Sequence, residues 1–441
     1  MVKTPDESSP PEAGGAQAGA GNGPRFWPLT DVGRVRDHNE DSFLVDKKLN
    51  LYIVADGMGG HAAGEVASSM ASHTVRDGLA SEREALHEFE QGHGGTTRKD
   101  VLRLLEASVQ QACSRVHAEG LADESKRGMG TTLDALLVVG SRGFIAHVGD
   151  ARIYLYRQEA VHQLTEDHSL LNELLRRGRL SREQIDKVQY KNAVTRAVGV
   201  YESVEVDVFD FDVLPGDRFL LCSDGLHGYL EESEIKALFE ETPEEELTQK
   251  LIDLANERGG KDNITAIVVR VPDDEAGFDR LTREVNLKLE ILHQIPLLRH
   301  VSYPQLVRVL NITTSRTYEA GERVVDEGDE GDELFVVLTG SVEVHASDAV
   351  IATLGVGEHF GEMTLVDKAP RSASVTAKEK SLLLSIRRRD FFDMIRKDSD
   401  VAVKLLWSFL GVLAQRLRTT SKELGLAREQ LEAAGGATDD A

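Results

Sequence analysis

Acidic residues at the ends of apolar strands constrain this chain more than any other feature. The apolar run from Leu51 to Ala55 ends in Asp56, and Gly57, Gly59 and Gly60 follow. Apolar residues bounded by glycine predict a buried strand that stops abruptly. A carboxylate there, beside glycine that lets a backbone carbonyl approach, can hold a hard cation. A single such acid more often opens a turn, so the prediction depends on other acids reaching the same place.

Three other apolar runs carry an acid next to a glycine or an asparagine. They are Phe144 to Val148 with Asp150, Phe219 to Cys222 with Asp224, and Ile264 to Val271 preceded by Asp262. Four strand-edge acids with one local pattern favour a common site over independent turns. Crowded carboxylates repel one another and stay ionised beside cations. Because hard cations prefer oxygen ligands, the pattern predicts a Mg²⁺ or Mn²⁺ site.

These segments, in order from Asp31 to Val269, resemble the type-2C, metal-dependent protein Ser/Thr phosphatases. The resemblance includes Met129-Gly-Thr-Thr132, Asp150-Ala-Arg152, Leu164-Thr-Glu-Asp-His-Ser169 and Asn192-Ala-Val-Thr-Arg196. It implies an α+β fold, an antiparallel β-sandwich flanked by helices, with the metals at one edge. It also implies that the helical stretch from His168 to Gln189 is a flap over the active site.

The resemblance assigns metal-binding roles residue by residue. Asp56 would bridge two ions and the Gly57 carbonyl would bind one of them, while Asp224 and Asp262 would complete the other shell. Asp150, together with Asp224, matches a third metal site of bacterial members. The implied metal ligands are thus Asp41, Asp56, Gly57, Asp150, Asp224 and Asp262.

The implied catalytic residues are Arg36, Glu40 and Asp41. Arg36 would clamp the substrate phosphate with its planar donor fork, and the two acids would hold or orient metal-bound water. Many eukaryotic members have a histidine directly after the Asp-Gly pair as general acid. Met58 stands there in this chain, and we interpret His61 as an ordinary loop histidine, so a water or another group would protonate the leaving oxygen.

Helical periodicity predicts helices from Ala62 to Leu79 and from Lys99 to Glu119. The polar segment from Ser81 to Gly95 predicts a surface loop, and Thr131 and Thr132 are interpreted as the start of a core strand.

The second half of the chain changes character. Short strands with a glycine at each turn, from Gly321 to Leu354, predict a β-roll or jelly roll. A cyclic nucleotide site needs a cation and amide donors for the phosphate and an acceptor for the ribose 2′-hydroxyl. The segments Phe360-Gly-Glu362 and Arg371-Ser-Ala373 supply that set.

This pair of segments is similar to the phosphate-binding cassette of protein kinase A regulatory subunits and the catabolite activator protein. The similarity implies that Arg371 and Ser372 hold the phosphate, that Glu362 accepts from the 2′-hydroxyl and that the Gly361 amide assists. Many domains of this fold bind no nucleotide, but those often lack the Glu or the Arg.

A long C-terminal helix is predicted from about Asp400 to Leu431, and its segment from Gln415 to Gly425 also resembles the helix of the catabolite activator protein. There a Thr-Ser pair, here Thr420 and Ser421, meets adenine, which favours cAMP over cGMP, and the helix pairs with its twin. An apolar stripe indicates either intramolecular core or a homodimer seam; its members are Leu406, Phe409, Leu413, Leu417 and Leu424.

Composition sets the domain limits and the classes of partner. We predict a disordered tail (1–24), a phosphatase domain (25–271), an acidic linker and connecting helix (272–294), a cyclic-nucleotide-binding domain (295–425) and a C-terminal tail (426–441). The net charge of -24 argues against nucleic acid or an anionic membrane as partner. Two cysteines and no signal peptide favour the cytoplasm.

The hypothesis from sequence is a metal-dependent phosphoprotein phosphatase in which a metal-activated water attacks a phosphomonoester. Cyclic nucleotide would regulate it through the C-terminal domain. Its partners would be phosphoproteins and, by family analogy, a Ser/Thr kinase or that kinase's targets. The alternative is a catalytically inactive scaffold that responds to cyclic nucleotide.

Overall fold

The computed structural model describes residues 23–60, 62–92, 94–176, 193–273, 279–346, 349–366 and 370–435. These residues form two compact units that divide between Asp279 and Arg280. Residues 1–22, most of the predicted disordered tail, lie outside this description, as do His61 and residues 177–192 of the predicted flap. No helix in the described ranges combines the length and the apolar character that crossing a membrane requires.

The first unit consists of antiparallel strands and flanking helices. Its strands are β1 (Arg25–Asp31), β2 (Asp41–Asp46), β3 (Leu51–Met58), β4 (Gly130–Thr131), β5 (Leu133–Val139), β6 (Arg142–Val148), β7 (Arg152–Arg157), β8 (Ala160–Gln163), β9 (Asp207–Asp212), β10 (Arg218–Cys222) and β11 (Ile264–Arg270). Its helices are α1 (Ala62–Ser81), α2 (Arg83–Gln91), α3 (Arg98–Ala122), α4 (Leu170–Arg176), α5 (Asp224–His227), α6 (Glu232–Glu241) and α7 (Glu244–Glu257).

Two sheets face each other in this unit. One has the order β1-β11-β10-β7-β8, and the other has the order β2-β3-β5-β6-β9, with β4 paired to β3. The rings of Phe26 and Tyr52 meet between the sheets with centroids 5.8 Å apart. On the outer faces, α1 and α3 cover the second sheet and α6 and α7 cover the first. The predicted α+β sandwich flanked by helices is therefore confirmed.

The strands next to the acids have continuous apolar sequences because both faces of each strand are buried. In β3, Leu51 and Ile53 pack on the helices, and every residue from Leu51 to Ala55 is buried. A strand buried on both faces loses the alternation that marks a half-exposed strand. β5 and β6, which follow β3 in the same sheet, are almost entirely buried as well.

The predicted surface loop from Ser81 to Gly95 is wrong, because this segment contains helix α2. Leu86 is buried and Phe89 packs edge-to-face on Phe144, with ring centroids 5.5 Å apart. These two residues lie one helical turn apart, so they form a narrow apolar face among polar neighbours. Gly92, with φ of 64°, adopts the left-handed conformation that ends the helix.

The second unit is built on a roll of two four-stranded antiparallel sheets. Its strands are β12 (Thr313–Tyr318), β13 (Arg323–Val325), β14 (Glu333–Thr339), β15 (Val342–Ala346), β16 (Ala349–Leu354), β17 (His359–Phe360), β18 (Ser374–Ala377) and β19 (Ser381–Arg387). Its helices are α8 (Asp279–Gln294), α9 (Tyr303–Asn311), α10 (Met363–Val366), α11 (Arg388–Lys397) and α12 (Ser399–Gly435). The orders β12-β19-β14-β17 and β13-β18-β15-β16 enclose an apolar core around Phe335 and Phe360.

Candidate active site and nucleotide pocket

Asp41 and Asp56 are the two acids of the candidate active site that lie on the second sheet, at its β2 edge. They lie directly opposite each other in the β2–β3 pairing. The Asp41 Oδ2 accepts a hydrogen bond of 2.8 Å from Ser223 Oγ, whereas its Oδ1 is buried without a hydrogen-bond partner. Asp41 therefore has one oxygen fixed by the protein and another available to a ligand.

The backbone of Asp56 is fixed on both sides by two threonines. Its N–H donates to Thr132 Oγ1 at 2.9 Å, and its carbonyl accepts from the Thr132 N–H and the Thr131 hydroxyl, each at 2.9 Å. Thr131 and Thr132 begin a core stretch, as interpreted from sequence, but they also hold the central acid. The strand continues to Met58, and Gly57 sits where a Cβ would collide with the carbonyl oxygens of Glu40 and Gly64.

Asp224 and Asp262 come from the facing sheet. Asp224 opens α5 directly after β10, and its Oδ1 is buried without a hydrogen-bond partner. Asp262 lies in the loop before β11, where its Oδ1 accepts from the Asn263 N–H at 2.9 Å. Gly225 is needed between them, since a Cβ there would overlap the Asn263 carbonyl.

Burial and mutual repulsion oppose ionisation of this cluster. Burial raises the pKa of Asp41 to about 7, and the charges of Asp224 and Asp262 add to the shift. Burial, and then the charge of Asp41, raises the pKa of Asp56 well above its usual range. The pKa of Asp224 is raised as well, by burial and then by Asp262. A cation between these groups would reverse the effect, because it favours the charged forms.

Asp150 extends the cluster beyond β6. It is 7% exposed, and burial together with the charge of Asp224 raises its pKa to about 7. Its carbonyl accepts a hydrogen bond of 2.8 Å from His227 Nε2. The structure thus brings Asp41, Asp56, Asp150 and Asp224 into one electrostatic group.

The donor set fits a divalent ion that keeps part of its water shell. Across the described ranges, no three His, Cys, Asp or Glu side chains are arranged so that they alone could enclose an ion. Mg²⁺ commonly keeps several waters and takes only one or two carboxylates. The buried oxygens of Asp41 and Asp224 that lack hydrogen-bond partners suit such water-assisted binding.

Arg36 and Glu40 lie next to the acids in the segment before β2. The Arg36 Nη2 donates to Asp262 Oδ2 at 2.7 Å, and its side chain is 50% exposed. Burial alone would lower the pKa of Arg36, but Asp262, Glu40 and Asp56 together raise it. The guanidinium thus combines access to solvent with closeness to the cluster. The Glu40 carbonyl accepts from Gly57 N–H at 3.2 Å and from Ser68 Oγ at 2.7 Å.

Sequence reasoning missed several side chains that support the acids. Ser223 holds Asp41, Thr132 holds Asp56, and His168 and His227 contact the Gly149–Asp150 backbone. Ser223 could have been noticed because it directly precedes Asp224. His227 carries a weaker signal, its position three residues after Asp224 on a helical turn.

The second unit has a separate candidate ligand site around Arg371. This side chain is 9% exposed; its Nη2 donates to the Glu333 carbonyl at 3.0 Å, while its Nη1 is buried without a hydrogen-bond partner. A Cβ on Gly331 or Gly361 would collide with the guanidinium, so two glycines make room for it. A buried cation with a spare donor is suited to an anionic ligand.

The remaining predicted nucleotide contacts differ in burial. Glu362 is 3% exposed and directly precedes α10, and Gly361 has φ of 79°. Ser372 is exposed beside Arg371, and Thr420 is exposed on α12. Burial lowers the pKa of Arg371, against the opposing charges of Glu333, Asp332 and Asp329.

Comparison with known proteins matches each unit to a family. Residues 34–268 match the family model "Protein phosphatase 2C", and residues 315–398 match "Cyclic nucleotide-binding domain". The chain is 39% identical over 246 residues to serine/threonine phosphatase stp of Listeria innocua, covering 54% of this chain and 93% of that protein. It is 37% identical over 257 residues to protein phosphatase PhpP of Streptococcus pneumoniae. That alignment covers 56% of this chain and 98% of PhpP.

A solved phosphatase structure also matches the first part of the chain. The serine/threonine phosphatase PstP/Ppp of Mycobacterium tuberculosis is 35% identical in sequence and has a TM-score of 0.50. The alignment covers 57% of this chain and 99% of that chain. The similarity to these proteins therefore concerns the first unit.

Proposed function

Because the chain belongs to the protein phosphatase 2C family, we propose that this phosphatase hydrolyses phosphoserine and phosphothreonine in proteins with divalent metal ions held by its acid cluster. The observation that carries the proposal is the convergence of Asp41, Asp56, Asp150 and Asp224, whose pKa values are all raised, first by burial. Bound Mn²⁺ or Mg²⁺ would supply an activated water and neutralise phosphoryl charge.

The chain's own residues divide into ligands and substrate contacts. The ligands would be Asp41, Asp56, the Gly57 carbonyl, Asp224 and Asp262 for two ions, with Asp150 and Asp224 for a third. Glu40 and Asp41 would orient water, and Ser223 keeps one Asp41 oxygen fixed for that task. Arg36, half exposed at the cluster, would position the substrate phosphate.

Metal dependence tests this proposal directly. The full-length protein, stripped with a chelator, should hydrolyse p-nitrophenyl phosphate and a phosphothreonine peptide only after Mn²⁺ or Mg²⁺ is restored. Metal without protein is the control for spontaneous hydrolysis. The alternative, an inactive scaffold, requires no turnover under any metal condition. The presence of every implied acid argues against that alternative.

We further propose that the second unit binds a cyclic nucleotide, with cAMP favoured over cGMP, and that binding regulates the phosphatase. The buried, unpartnered Nη1 of Arg371 supports an anionic ligand, and buried Glu362 supplies a carboxylate two residues after Phe360. The match of residues 315–398 to the cyclic nucleotide-binding family supports the same ligand class. The preference for cAMP rests on Thr420 and on the resemblance of the C-terminal helix to that of the catabolite activator protein. Calorimetric titration of the full-length protein with both nucleotides tests it.

We also propose a homodimer formed through α12. Three leucines of the predicted stripe, Leu406, Leu417 and Leu424, are 61%, 69% and 54% exposed in the single chain, which disfavours the intramolecular-core alternative for them. Leu410, Leu417 and Leu424 recur every seven residues, as at a helix–helix seam. Sedimentation should give a dimer for the wild type and a monomer for Leu417→Glu, whereas a monomeric wild type would contradict the proposal.

The remaining proposals concern partners and location. The substrates would be phosphoproteins, and a Ser/Thr kinase or its targets are proposed by family analogy. Cys113 and Cys222 are free and buried, which suits a reducing cytoplasm. Cell fractionation that recovers the protein outside the cytoplasm would contradict this location.

A further inference from the structure

A tight turn after β6 holds the backbone of Gly149 and Asp150 in place. Gly149 has φ of 115°, and a Cβ there would lie 2.6 Å from Thr132 Cβ, so only glycine fits. His168 provides a hydrogen-bond partner for both the backbone carbonyl and the backbone N–H of Gly149. The His168 N–H donates to the Gly149 carbonyl at 2.7 Å, and the Gly149 N–H donates to His168 Nδ1 at 3.1 Å. The backbone directly before Asp150 is therefore fixed in one conformation.

His227 fixes the next polar group along the chain. Its Nε2 lies 2.8 Å from the Asp150 carbonyl oxygen. A carbonyl only accepts, so this nitrogen carries the proton and donates it. The Nε2 lone pair is then not available to a cation, and His227 acts on Asp150 instead of ligating an ion through this atom.

The position of His227 in the chain links two acids. Helix α5 is a single turn that begins with Asp224 and ends with His227. Residues three apart lie on the same face of a helix. The same turn therefore presents the Asp224 carboxylate to the acid cluster and holds the backbone of Asp150 through His227. The pairing of β7 with β10 ends at Arg152 and Cys222, two residues short of each acid, so the His227 contact extends the link between the two segments beyond the end of the sheet.

We propose that His227 is a positioning residue that sets the separation of Asp150 and Asp224 for a third divalent cation. This inference rests on the metal site of the proposed function and adds a residue that is not among the proposed ligands or substrate contacts. Residues that orient metal ligands through hydrogen bonds typically change metal affinity by about 10- to 100-fold when replaced. Loss of the His227 donor should weaken the third ion by that amount and leave the other two ions bound.

The test measures Mn²⁺ binding to the full-length protein, with free Mn²⁺ followed by electron paramagnetic resonance. Three sites are expected in the wild type. His227→Leu removes the donor, and His227→Asn is too short to reach the carbonyl, so both should weaken the third site only. His227→Gln places an amide N–H near the original Nε2 and should restore it. Asp150→Asn gives the reference for loss of the ligand itself.

The matched control is His87, a histidine on α2 whose side chain is 66% exposed. His87→Leu and His87→Asn should bind Mn²⁺ as the wild type does. Circular dichroism and thermal melting report on folding. If His227→Leu does not fold, the comparison of His227→Asn with His227→Gln decides, because these variants share an amide and differ by one methylene.

Each other outcome overturns a specific statement. Unchanged third-site affinity in His227→Asn, or equal weakening of all three sites, contradicts the positioning role and leaves the metal proposal intact. A wild type with only two sites contradicts the third ion and with it this inference. A wild type that binds no Mn²⁺ contradicts the proposed metal centre itself.

Discussion

Replacing Asp56 with Asn should abolish phosphatase activity while the protein stays folded. The side chain keeps nearly the same volume but loses the anionic oxygens that would bridge two ions. Metal-ion catalysis contributes several kcal/mol of transition-state stabilisation, so the rate should fall by about 10³-fold or more. The backbone should be unaffected, because Thr131 and Thr132 bind the amide and carbonyl of residue 56 and not its carboxylate.

The same substitution should not destabilise the metal-free protein. Burial and Asp41 raise the pKa of Asp56 above its usual range, so its ionised form is less favourable in the folded protein than in the unfolded chain. At neutral pH this difference destabilises the fold, and Asn removes it. Thermal melting in chelator should therefore show an unchanged or higher midpoint for Asp56→Asn. Added Mn²⁺ should raise the wild-type midpoint more than that of the variant.

Asp253→Asn is the matched control, since Asp253 lies exposed on α7, where its Oδ1 accepts a hydrogen bond of 2.9 Å from Gln249 Nε2. It should retain both activity and the metal-induced rise in melting temperature. Metal-dependent turnover by Asp56→Asn within severalfold of the wild type would contradict the bridging role. A clearly lower melting midpoint in chelator would contradict the argument from repulsion.

The candidate site could be predicted as far as its acids because their signal is local. An apolar run followed by an adjacent Asp and Gly marks the region where a buried strand ends. This pattern placed Asp56 two residues before the end of β3, and Asp150 and Asp224 two residues after β6 and β10. Their supporting contacts are not local. Thr132 is separated from Asp56 by 76 positions, and His227 from Asp150 by 77. Such pairs are set by how the two sheets face each other, which no short pattern records.

The fold was predictable where strands are buried on both faces and less so elsewhere. In the first unit, β1, β8 and β9 were not predicted because none is a long apolar run. Most residues of β1 and all of β8 are only partly buried, and acids interrupt the apolar residues of β9. Helix α2 was missed because nine polar-rich residues carry only Leu86 and Phe89 as its apolar face. Burying such side chains stabilises by about 1.5–3 kcal/mol each, which is enough to order a segment that looks like a loop.

In the candidate nucleotide site, too, some residues could be predicted from local motifs and others could not. Arg371 and Glu362 could be identified from their local motifs. The space around the guanidinium depends on Gly331, which lies 40 positions before Arg371 in the chain and has no motif of its own. The Glu333 carbonyl, which accepts from Arg371 Nη2, is a backbone group that any residue could supply. Sequence therefore indicates the charges of the site, and the structure adds the groups that position the guanidinium.

Arg371→Ala should strongly weaken cyclic-nucleotide binding and shift any effect of nucleotide on the phosphatase rate to correspondingly higher nucleotide concentrations. Removing one partner of a buried, hydrogen-bonded charge pair costs about 2–5 kcal/mol, so the dissociation constant should rise at least about 30-fold. Arg371→Lys keeps the charge but loses the planar fork, and should bind with intermediate affinity. Arg389→Ala, at a side chain 90% exposed on α11, is the matched control and should bind normally.

The effect on rate follows only if the nucleotide binds two conformations unequally. Helix α8 lies in sequence between the last phosphatase strand and the roll, so we expect it to be the element that changes. The usual coupling of about 1–3 kcal/mol corresponds to a change in phosphopeptide hydrolysis of about 5- to 150-fold. Saturating cAMP and cGMP should be compared on the full-length wild type, Arg371→Ala and Arg389→Ala. Binding without a change in rate would mean that the nucleotide domain is only a tether, whereas undiminished binding by Arg371→Ala would contradict the site itself.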